Sequence, residues 1–358
     1  MMAEDRIARL RAALAERGLD GLVVVKPENR AYLSGFTGSA GVLLITPERA
    51  VLITDFRYTE QAAAQAPAFQ VMKPESTDEA LIARLVDEFG LKRIGYEGDH
   101  LTVDQFQTYR QAVSGCEWVS VTGLVETLRM VKDQTEIARM RRAAEIADEA
   151  FAQILPLVKP GAVERDLAAE LEYRMKKLGA EGAAFETIVV SGVRSSLPHG
   201  RPSDKAIAAG DLVTFDFGAL YEGYCSDMTR TVVVGEPTDK QREIYSIVLE
   251  AQKRGVAACR PGITGKELDD VCRSYIKERG YGEYFGHGTG HGVGRFIHEG
   301  PRVSQRGGDV VLQPGMVVTI EPGIYLPGWG GVRIEDMLLV TESGAEVLTR
   351  TPKELLIL

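Results

Sequence analysis

The second half of this sequence of 358 residues repeats itself, and the internal repeat limits the folds that the chain can adopt. GDLVTFDFG (210–218) matches GMVVTIEPG (315–323) at an offset of 105 residues, so that Asp216 falls on Glu321. Both stretches alternate apolar and polar residues, which is typical of β-strands with the acidic side chain opposite the apolar face. Two such halves facing each other would bring both acidic side chains together at a pseudo-twofold axis.

A second match in the same order indicates that the repeat extends beyond these strands. Residues 157–167 match residues 258–268 at an offset of 101, and each copy joins two helices through a Pro-Gly turn. Upstream of the repeat, residues 1–125 alternate helical and strand patterns. The sequence therefore predicts an α/β N-terminal domain over 1–125, a linker over 126–132, and an α+β C-terminal domain with a pseudo-twofold repeat over 133–358.

Each acidic strand is followed by a second strand that carries another acidic residue, which predicts two β-hairpins. In an antiparallel hairpin, the position of the turn decides which residues face each other. The first predicted turn places Asp216 opposite Asp227, and the second places Glu321 opposite Glu335. The centres of these two predicted turns are the Tyr221–Glu222 bond and Gly328.

Four carboxylates that meet at the repeat axis repel one another and raise each other's pKa. Cations remove this repulsion, and two divalent ions roughly 3.5–4 Å apart can share carboxylate ligands. The four acidic residues therefore predict a site for two divalent metal ions. The alternative interpretation is that they are surface residues of the strands.

Three of the five histidines lie in one glycine-rich segment, residues 286–301, at His287, His291 and His298. His287 and His291 have the spacing of a zinc-protease helix, but no glutamate follows His287 and alternate glycines disfavour a helix. We expect the glycines to let the backbone approach metal and substrate closely. One imidazole among carboxylates favours Mn²⁺ or Co²⁺, with Zn²⁺ as a further choice. The other histidines can donate hydrogen bonds to a carbonyl oxygen or carry protons.

Composition and charge argue against two classes of partner. The 42 Lys and Arg residues against 51 Asp and Glu residues give a net charge of −9, which does not favour binding to nucleic acid or to an anionic membrane. The longest uncharged stretch, residues 31–47, contains three glycines and is too short to span a bilayer. The first residues lack the apolar core of a secretory signal, and the four cysteines show no CxxC spacing. These features predict a cytoplasmic protein with buried thiols.

The strings DFG-x₈-D, HGTGH, TIEPG and RIED, in this order, resemble the metal-binding signature of the creatinase/methionine aminopeptidase superfamily, which has the pita-bread fold. Together with the α/β N-terminal domain, they make the chain similar to the Xaa-Pro peptidases, the prolidase and aminopeptidase P families. The resemblance implies that two metal ions are bound by Asp216, Asp227, His291, Glu321 and Glu335.

The same resemblance implies roles for residues around the metal ions. These roles are general base for Glu321, carbonyl polarisation for His287 and His298, contact with the proline side of the substrate for His199, and supporting contacts for Arg333 and Tyr325. The resemblance also implies a homodimer in which the first domain of one subunit caps the site of the other.

The implied reaction is hydrolysis of the bond before proline in Xaa-Pro dipeptides or peptides. One alternative is an aminopeptidase P that releases the N-terminal residue from longer Xaa-Pro peptides, and another is an inactive binding module with the same fold. Creatinase lacks the metal ligands and methionine aminopeptidase lacks a large N-terminal domain, so both are less similar to this chain.

Two strings in the first domain bear on the choice between dipeptidase and aminopeptidase. FTGSAG (36–41) and DFRY (55–58) look more like the N-terminal domains of aminopeptidase P, whereas the short chain favours a dipeptidase. Taken by their residue types alone, both strings are interpreted as turn and packing residues.

Overall fold

The computed structural model describes residues 3–358, which form two units, one that ends at Arg129 and one that covers Met130–Leu358. The helices up to this boundary are α1 (Ala3–Glu16), α2 (Pro27–Ser34), α3 (Thr59–Gln65), α4 (Asp78–Phe89), α5 (Val103–Ala112) and α6 (Leu124–Met130). The strands are β1 (Gly21–Val24), β2 (Val42–Ile45), β3 (Ala50–Ile53), β4 (Gln70–Met72), β5 (Arg93–Glu97) and β6 (Glu117–Val121).

The first unit is a mixed sheet with helices on both faces, in the order β4-β3-β2-β1-β5-β6. Buried side chains of α1, α2 and α6 pack on one face with Leu22, and those of α4 and α5 pack on the other face with Val23. This alternation follows from the period of two in a strand. The α/β class predicted for the first unit is therefore confirmed. Residues 126–132, the predicted linker, are largely helical because α6 extends to Met130.

Polar contacts hold the FTGSAG string in place, and one of them joins it to the DFRY string. Arg30 donates to the carbonyl oxygens of Gly38 and Gly41 at 2.6 and 2.7 Å. The hydroxyl groups of Ser39 and Tyr58 lie 2.6 Å apart. These contacts agree with the interpretation of both strings as turn and packing residues.

The second unit contains the internal repeat. Its helices are α7 (Gln134–Ile154), α8 (Glu164–Lys177), α9 (Asp239–Ala258) and α10 (Gly265–Glu278), with 3₁₀ turns at Leu155–Leu157, Gly192–Ser196 and Gly282–Tyr284. Its strands are β7 (Gly182–Ala183), β8 (Ile188–Ser191), β9 (Leu212–Phe217), β10 (Ala219–Tyr221), β11 (Tyr224–Cys225), β12 (Met228–Val233), β13 (Gly290–Gly292), β14 (Glu299–Val303), β15 (Val317–Ile320), β16 (Gly323–Leu326), β17 (Gly330–Arg333), β18 (Asp336–Val340) and β19 (Ala345–Val347).

Helices cover one face of the two central sheets, whose strand orders are β12-β9-β8 and β14-β13-β15-β18-β19. On β9, the rings of Phe215 and Phe217 lie 5.4 and 5.3 Å from the ring of Phe151 on α7. Since neighbouring side chains point to opposite faces of a strand, Asp216 points away from this helix-covered core. The two sheets therefore present their acidic residues on the face that the helices leave free.

Backbone contacts repeat between the two halves at the two offsets found in the sequence. Val163 bridges to Ala206 in the first half, and Thr264 bridges to Val311 in the second. The first members of these pairs are 101 residues apart and the second members are 105 apart, as predicted. The neighbouring backbone hydrogen bonds correspond in the same way, from Gly161 N to Ile207 O at 2.8 Å and from Gly262 N to Leu312 O at 3.0 Å. The predicted pseudo-twofold repeat is confirmed.

The register predicted for the first hairpin is wrong by two residues, since Asp216 pairs with Thr229 and not with Asp227. The turn consists of Glu222 and Gly223, whose φ angles of 46° and 72° are both in the left-handed region that a type I′ hairpin turn requires. A shift of two residues keeps every side chain on its face, so Asp227 lies diagonally across from Asp216 rather than directly opposite.

The register predicted for the second hairpin is confirmed. Ile320 pairs with Asp336 on one side of a break in the strands, and Gly323 pairs with Arg333 on the other side. The same register on both sides of the break places Glu321 and Glu335 at opposed positions. The three-residue turn is centred on Gly328, which has a φ of 76°.

The structure of residues 3–358 describes the state of the four cysteines and the character of the helices. No disulfide joins any of the four cysteines in this part of the chain. In the same range, every helix is either too short or too polar to cross a membrane. The side chains of Cys225, Cys259 and Cys272 are buried as predicted, whereas that of Cys116 is partly exposed.

Candidate metal centre

The centre of the site is a cluster of carboxylate oxygens around the imidazole of His291. One ligand atom each of Asp227, His291 and Glu335 lies within 4.8 Å of the other two. The Nε2 atom of His291 is 3.5 Å from Asp227 Oδ2 and 3.4 Å from Glu321 Oε1. Four of the five residues predicted to bind metal therefore converge at one point.

The fifth residue, Asp216, is paired with an arginine beside this cluster. Its Oδ2 atom is 2.7 Å from the guanidinium of Arg333, which is buried. Arg333 also donates to Thr229 Oγ1 at 3.0 Å and to the hydroxyl of Tyr325 at 2.9 Å. Arg333 thus neutralises one carboxylate and leaves the excess negative charge on the others.

Threonine hydroxyl groups fix the orientation of the carboxylates. Thr229 Oγ1 donates to Glu335 Oε2 at 2.7 Å, and the Glu335 amide donates back to the Thr229 carbonyl at 3.1 Å, which joins the two hairpins. Thr319 Oγ1 donates to Glu321 Oε1 at 3.2 Å and accepts from the His291 amide at 3.1 Å. Thr319 lies in the repeated strand motif, but the sequence assigned no function to it or to Thr229.

Burial and mutual repulsion shift the pKa values of the acidic residues upward. Burial is the largest cause and raises the pKa of Asp227 and of Glu335 well above the ordinary values, and the charges of the neighbouring carboxylates raise it further. Burial also raises the pKa of Glu321 to about 8. Burial acts against the charge of Arg333, but Tyr325, Asp216 and Glu321 outweigh it and raise the pKa of that guanidinium. A cluster with these shifts lacks positive charge, which bound cations would supply.

The tautomer of His291 shows that the cluster fits a metal ion. Its Nδ1 atom lies 3.1 Å from the carbonyl oxygen of Gly292, and because a carbonyl only accepts, the proton is on Nδ1. Burial lowers the pKa of His291 to about 4, so the ring is neutral near pH 7 and Nε2 has a free lone pair. That lone pair faces the oxygens of Asp227 and Glu321, and a cation between these donors would satisfy all three.

His287 belongs to a hydrogen-bond chain that starts at Arg333. Its Nδ1 donates to the carbonyl of Gly288 at 2.8 Å, and its Nε2 lies 2.8 Å from the hydroxyl of Tyr325. Burial lowers the pKa of His287 to about 4, so Nε2 accepts this hydrogen bond from the tyrosine. Burial also raises the pKa of Tyr325 to about 12, so the phenol keeps its proton.

The other two predicted histidines lie next to the cluster and are exposed to solvent. The ring of His298 is 4.4 Å from that of His291, centroid to centroid. Partial burial lowers the pKa of His298, while the charge of Asp216 acts in the opposite direction and that of His199 adds to the lowering. His199 therefore lies close enough to His298 for its charge to act on that ring.

The glycine-rich segment that carries three histidines, residues 286–301, is called the histidine segment below. Two of its glycines approach neighbouring strands closely. A Cβ atom at Gly290 would lie 2.0 Å from the carbonyl oxygen of Thr319, and one at Gly292 would lie 2.1 Å from that of Gly300. The expected close approach to metal and substrate is thus an approach to protein backbone at these positions. It lets β13, which carries His291, enter the sheet beside β15.

Two ion pairs with buried carboxylates, which the sequence analysis did not find, support the histidine segment. Asp269 accepts from the amide of Thr289 at 2.9 Å and pairs with Arg273, which donates to the His287 carbonyl at 2.6 Å. The Nζ atom of Lys132 is 3.0 Å from the Glu299 carboxylate. The spacing of four residues between Asp269 and Arg273 is a signal for a helical ion pair, but nothing in the sequence shows that the pair holds the segment.

The α/β first unit, the duplicated hairpins and the carboxylate–imidazole cluster together define a metallopeptidase of the pita-bread fold. Residues 138–342 match the metallopeptidase family M24, and residues 6–131 match the creatinase/prolidase N-terminal domain. The chain belongs to metallopeptidase family M24. The superfamily named from its motifs is confirmed.

Several related proteins match this chain over nearly its whole length. The structure of a Xaa-Pro dipeptidase from Bacillus anthracis has a TM-score of 0.98 and 51% sequence identity, and the match covers 100% of both chains. A Xaa-Pro dipeptidase of Pyrococcus furiosus is 45% identical over 99% of this chain and 100% of its own length. The structure of an X-Pro aminopeptidase from Thermotoga maritima has a TM-score of 0.90 and 42% identity, covering 96% of this chain and 99% of that one.

Proposed function

We propose that this chain is a Xaa-Pro dipeptidase that hydrolyses the bond before proline in dipeptides. The observation that carries the proposal is the cluster of Asp227, His291 and Glu335, within 4.8 Å of one another, in a chain of family M24. The Bacillus anthracis and Pyrococcus furiosus dipeptidases support the substrate class, because they match the chain over its whole length.

We propose that Asp216, Asp227, His291, Glu321 and Glu335 hold two divalent ions. Carboxylate oxygens with one imidazole favour Mn²⁺ or Co²⁺, with Zn²⁺ as a further choice. Ions held by these residues would supply activation of a water molecule and stabilisation of negative charge on the scissile carbonyl. Within this site, Glu321 acts as the general base and returns a proton to the leaving nitrogen.

The hydrogen bonds around His287 refine its proposed role. With Nδ1 donating to Gly288 and Nε2 accepting from Tyr325, the neutral ring has no N–H left for a substrate carbonyl. We therefore assign carbonyl polarisation to His298 and the orientation of Tyr325 to His287. His199 contacts the proline side of the substrate, and Arg333 holds Tyr325 and Asp216 in place.

The experiment compares Ala-Pro with Ala-Pro-Ala, using chain reconstituted with Mn²⁺ or Co²⁺. A dipeptidase must recognise the carboxylate that follows proline, so we expect Ala-Pro to be hydrolysed and Ala-Pro-Ala to be spared. Preferential cleavage of Ala-Pro-Ala would support the second candidate, an aminopeptidase, which the likeness to the Thermotoga maritima structure favours. If neither peptide is cleaved while metal is bound, the chain is an inactive binding module and the proposal fails.

We further propose that the chain is a cytoplasmic homodimer. The four cysteines form no disulfide within residues 3–358, which supports a reducing compartment. Light scattering at micromolar concentration should give twice the chain mass of 39.1 kDa, and a mass equal to one chain would contradict the dimer.

A further inference from the structure

The carboxylate of Glu164, the first residue of α8, is fully buried and accepts five hydrogen bonds. Oε1 accepts from the amide of Ser191 at 2.7 Å and from its hydroxyl at 2.8 Å. Oε2 accepts from the amide of Ser203 at 3.1 Å, from its hydroxyl at 2.7 Å, and from Arg194 Nε at 3.1 Å. Every donor is a neighbour in space that is 27 or more residues away in sequence.

These donors stand at both ends of one loop, residues 192–202, which we call the His199 loop. Ser191 is the last residue of β8, and Ser203 follows the loop on its return toward β9. A single carboxylate therefore closes the loop at its base. A loop with both ends fixed has fewer backbone conformations than one that is fixed at a single end.

The His199 loop also contacts residues of the metal centre. The carbonyl of Pro198, next to His199, accepts from the guanidinium of Arg333 at 3.2 Å. The hydroxyl of Ser195 accepts from the amide of Gly331 at 2.8 Å. These two contacts fix the far side of the loop to the metal centre, so opening the loop at its base would mainly shift His199, next to Pro198.

The internal repeat shows that the equivalent position of the second half carries no carboxylate. Gly265 occupies the position equivalent to Glu164, and its Cβ atom would lie 1.9 Å from the carbonyl of Arg302. The β-bridge between Val163 and Ala206 nevertheless has a counterpart next to Gly265, where Thr264 bridges to Val311. In the second half the buried carboxylate of the equivalent helix is Asp269, which accepts from the amide of Thr289 instead. Because burying a carboxylate is costly unless it is fully paired, a carboxylate at the position of Glu164 in the first half alone points to a role in holding the His199 loop.

We propose that Glu164 is a positioning residue that fixes the His199 loop, so that His199 meets the proline side of the substrate. The five hydrogen bonds to its carboxylate come from Ser191, Arg194 and Ser203, so Glu164 would act on the substrate only through the loop. The proposal rests on the proposed dipeptidase function, since it is this function that gives His199 a substrate to contact.

The main test is a cycle of Glu164→Gln, His199→Ala and the double variant, assayed on Ala-Pro with Mn²⁺. A glutamine places an amide group against N–H donors, so the base of the loop opens. We expect KM to rise on the order of tenfold with kcat changed much less, and the bound metal to stay at the wild-type level. The double variant should be no worse than His199→Ala, because Glu164 acts through His199.

A second variant, Ser203→Ala, removes one donor at the far end of the loop and keeps the buried charge paired. Deuterium exchange should increase at residues 192–203 in both Glu164→Gln and Ser203→Ala, with residues 286–301 unchanged. The matched control is Asp148→Asn, since Asp148 also accepts two amides and a hydroxyl, from Arg350 and Thr351, but ties down the C-terminal segment. This control should leave both KM and exchange in the loop unchanged.

Two results would overturn the proposal. One is that the effects of Glu164→Gln and His199→Ala multiply, since independent residues do not act through one another. The other is unchanged exchange at residues 192–203 in both Glu164→Gln and Ser203→Ala. If the wild-type chain cleaves no Xaa-Pro peptide, the proposed function fails, and the exchange experiment still decides whether Glu164 fixes the loop.

Discussion

The backbone carbonyl of Gly292 decides what His291 can do, because it holds the proton on Nδ1 and turns the lone pair of Nε2 toward two carboxylates. The same arrangement at His287 has another result, since its Nε2 is occupied by Tyr325. Two histidines of one segment, with similarly lowered pKa values, thus differ in function through a single neighbour. The sequence predicts that these residues matter, but the tautomers depend on contacts that only folding creates.

Loss of one carboxylate should release metal. In Asp227→Asn, a neutral amide replaces a buried carboxylate that lies 3.5 Å from His291 Nε2. We expect loss of at least one ion per chain and a fall of at least about 100-fold in hydrolysis of Ala-Pro. Elemental analysis and the peptide assay measure both effects, with Asp87→Asn, an exposed residue of α4, as the control. A variant with full metal content and activity would contradict the assignment.

A buried carboxylate in the first unit predicts a pH dependence of stability. Burial raises the pKa of Glu97 from 4.5 to about 7, although Asn29 and the amides of Val25 and Lys26 donate to it. The folded chain then binds a proton that the unfolded chain has lost, so the free energy of unfolding falls as the pH rises between 4.5 and 7. A shift of this size corresponds to roughly 3 kcal/mol.

Urea unfolding at several pH values measures this effect. We expect the fall in stability to be clearly smaller in Glu97→Gln, whose side chain does not titrate. Parallel pH profiles for the wild type and the variant would show that Glu97 keeps an ordinary pKa in the folded chain.

At the scale of elements, the two hairpins show when a strand register can be predicted from sequence and when it cannot. The second register was predicted correctly because its three-residue turn is centred on Gly328 and its register is the same on both sides of the break. The first was wrong because two acidic residues were assumed to face each other. Glycine at the second position of the Glu222–Gly223 turn was the signal that was missed, since glycine readily adopts a positive φ.

The first hairpin can be stabilised at its turn. Glu222 has a φ of 46°, which asparagine adopts more readily than glutamate. Its ion pair with Arg139 is exposed and contributes little. We expect Glu222→Asn to raise the free energy of unfolding of the second unit by about 0.5–1 kcal/mol, measured by denaturant titration. Destabilisation would mean that the ion pair outweighs the backbone strain.

Gly290 and Gly286 of the histidine segment provide a test position and a matched control position for substitution by alanine. In Gly290→Ala, the new methyl group would lie 2.0 Å from the carbonyl oxygen of Thr319, so β13 must move away from β15. At Gly286 nothing lies within 4 Å of the added carbon, and φ is not in the left-handed region. We therefore expect Gly290→Ala to lose bound metal and activity, and Gly286→Ala to retain bound metal. Equal metal content in both variants would show that the close approach does not position His291.

At the scale of the whole molecule, the repeat explains why one site collects residues from distant parts of the chain. Ser191 pairs with Val213, and its equivalent Gly292 pairs with Val318, so β8 and β13 occupy corresponding places. The loops that follow them carry His199 and His298. Each half thus supplies one acidic hairpin and one histidine-bearing loop to a shared centre.

The duplication could be predicted from two sequence matches, and with it the convergence of the acidic residues. The residues that hold the site in place could not be predicted, because they act through contacts between elements and no local sequence pattern records such contacts. These residues are Glu164, the Asp269–Arg273 pair and Lys132. The catalytic and substrate-binding roles of individual residues came from the resemblance to the Xaa-Pro peptidases, because the repeat and the spacing of the residues do not define those roles.

The proposed metal centre can be tested by a crystal structure of the chain grown with Mn²⁺, with diffraction data collected at a wavelength where manganese scatters anomalously. We expect two anomalous peaks per chain, in contact with Asp227, His291 and Glu335 and flanked by Asp216 and Glu321. A map with no peak among these residues, at a Mn²⁺ concentration that supports hydrolysis of Ala-Pro, would contradict the proposed metal centre.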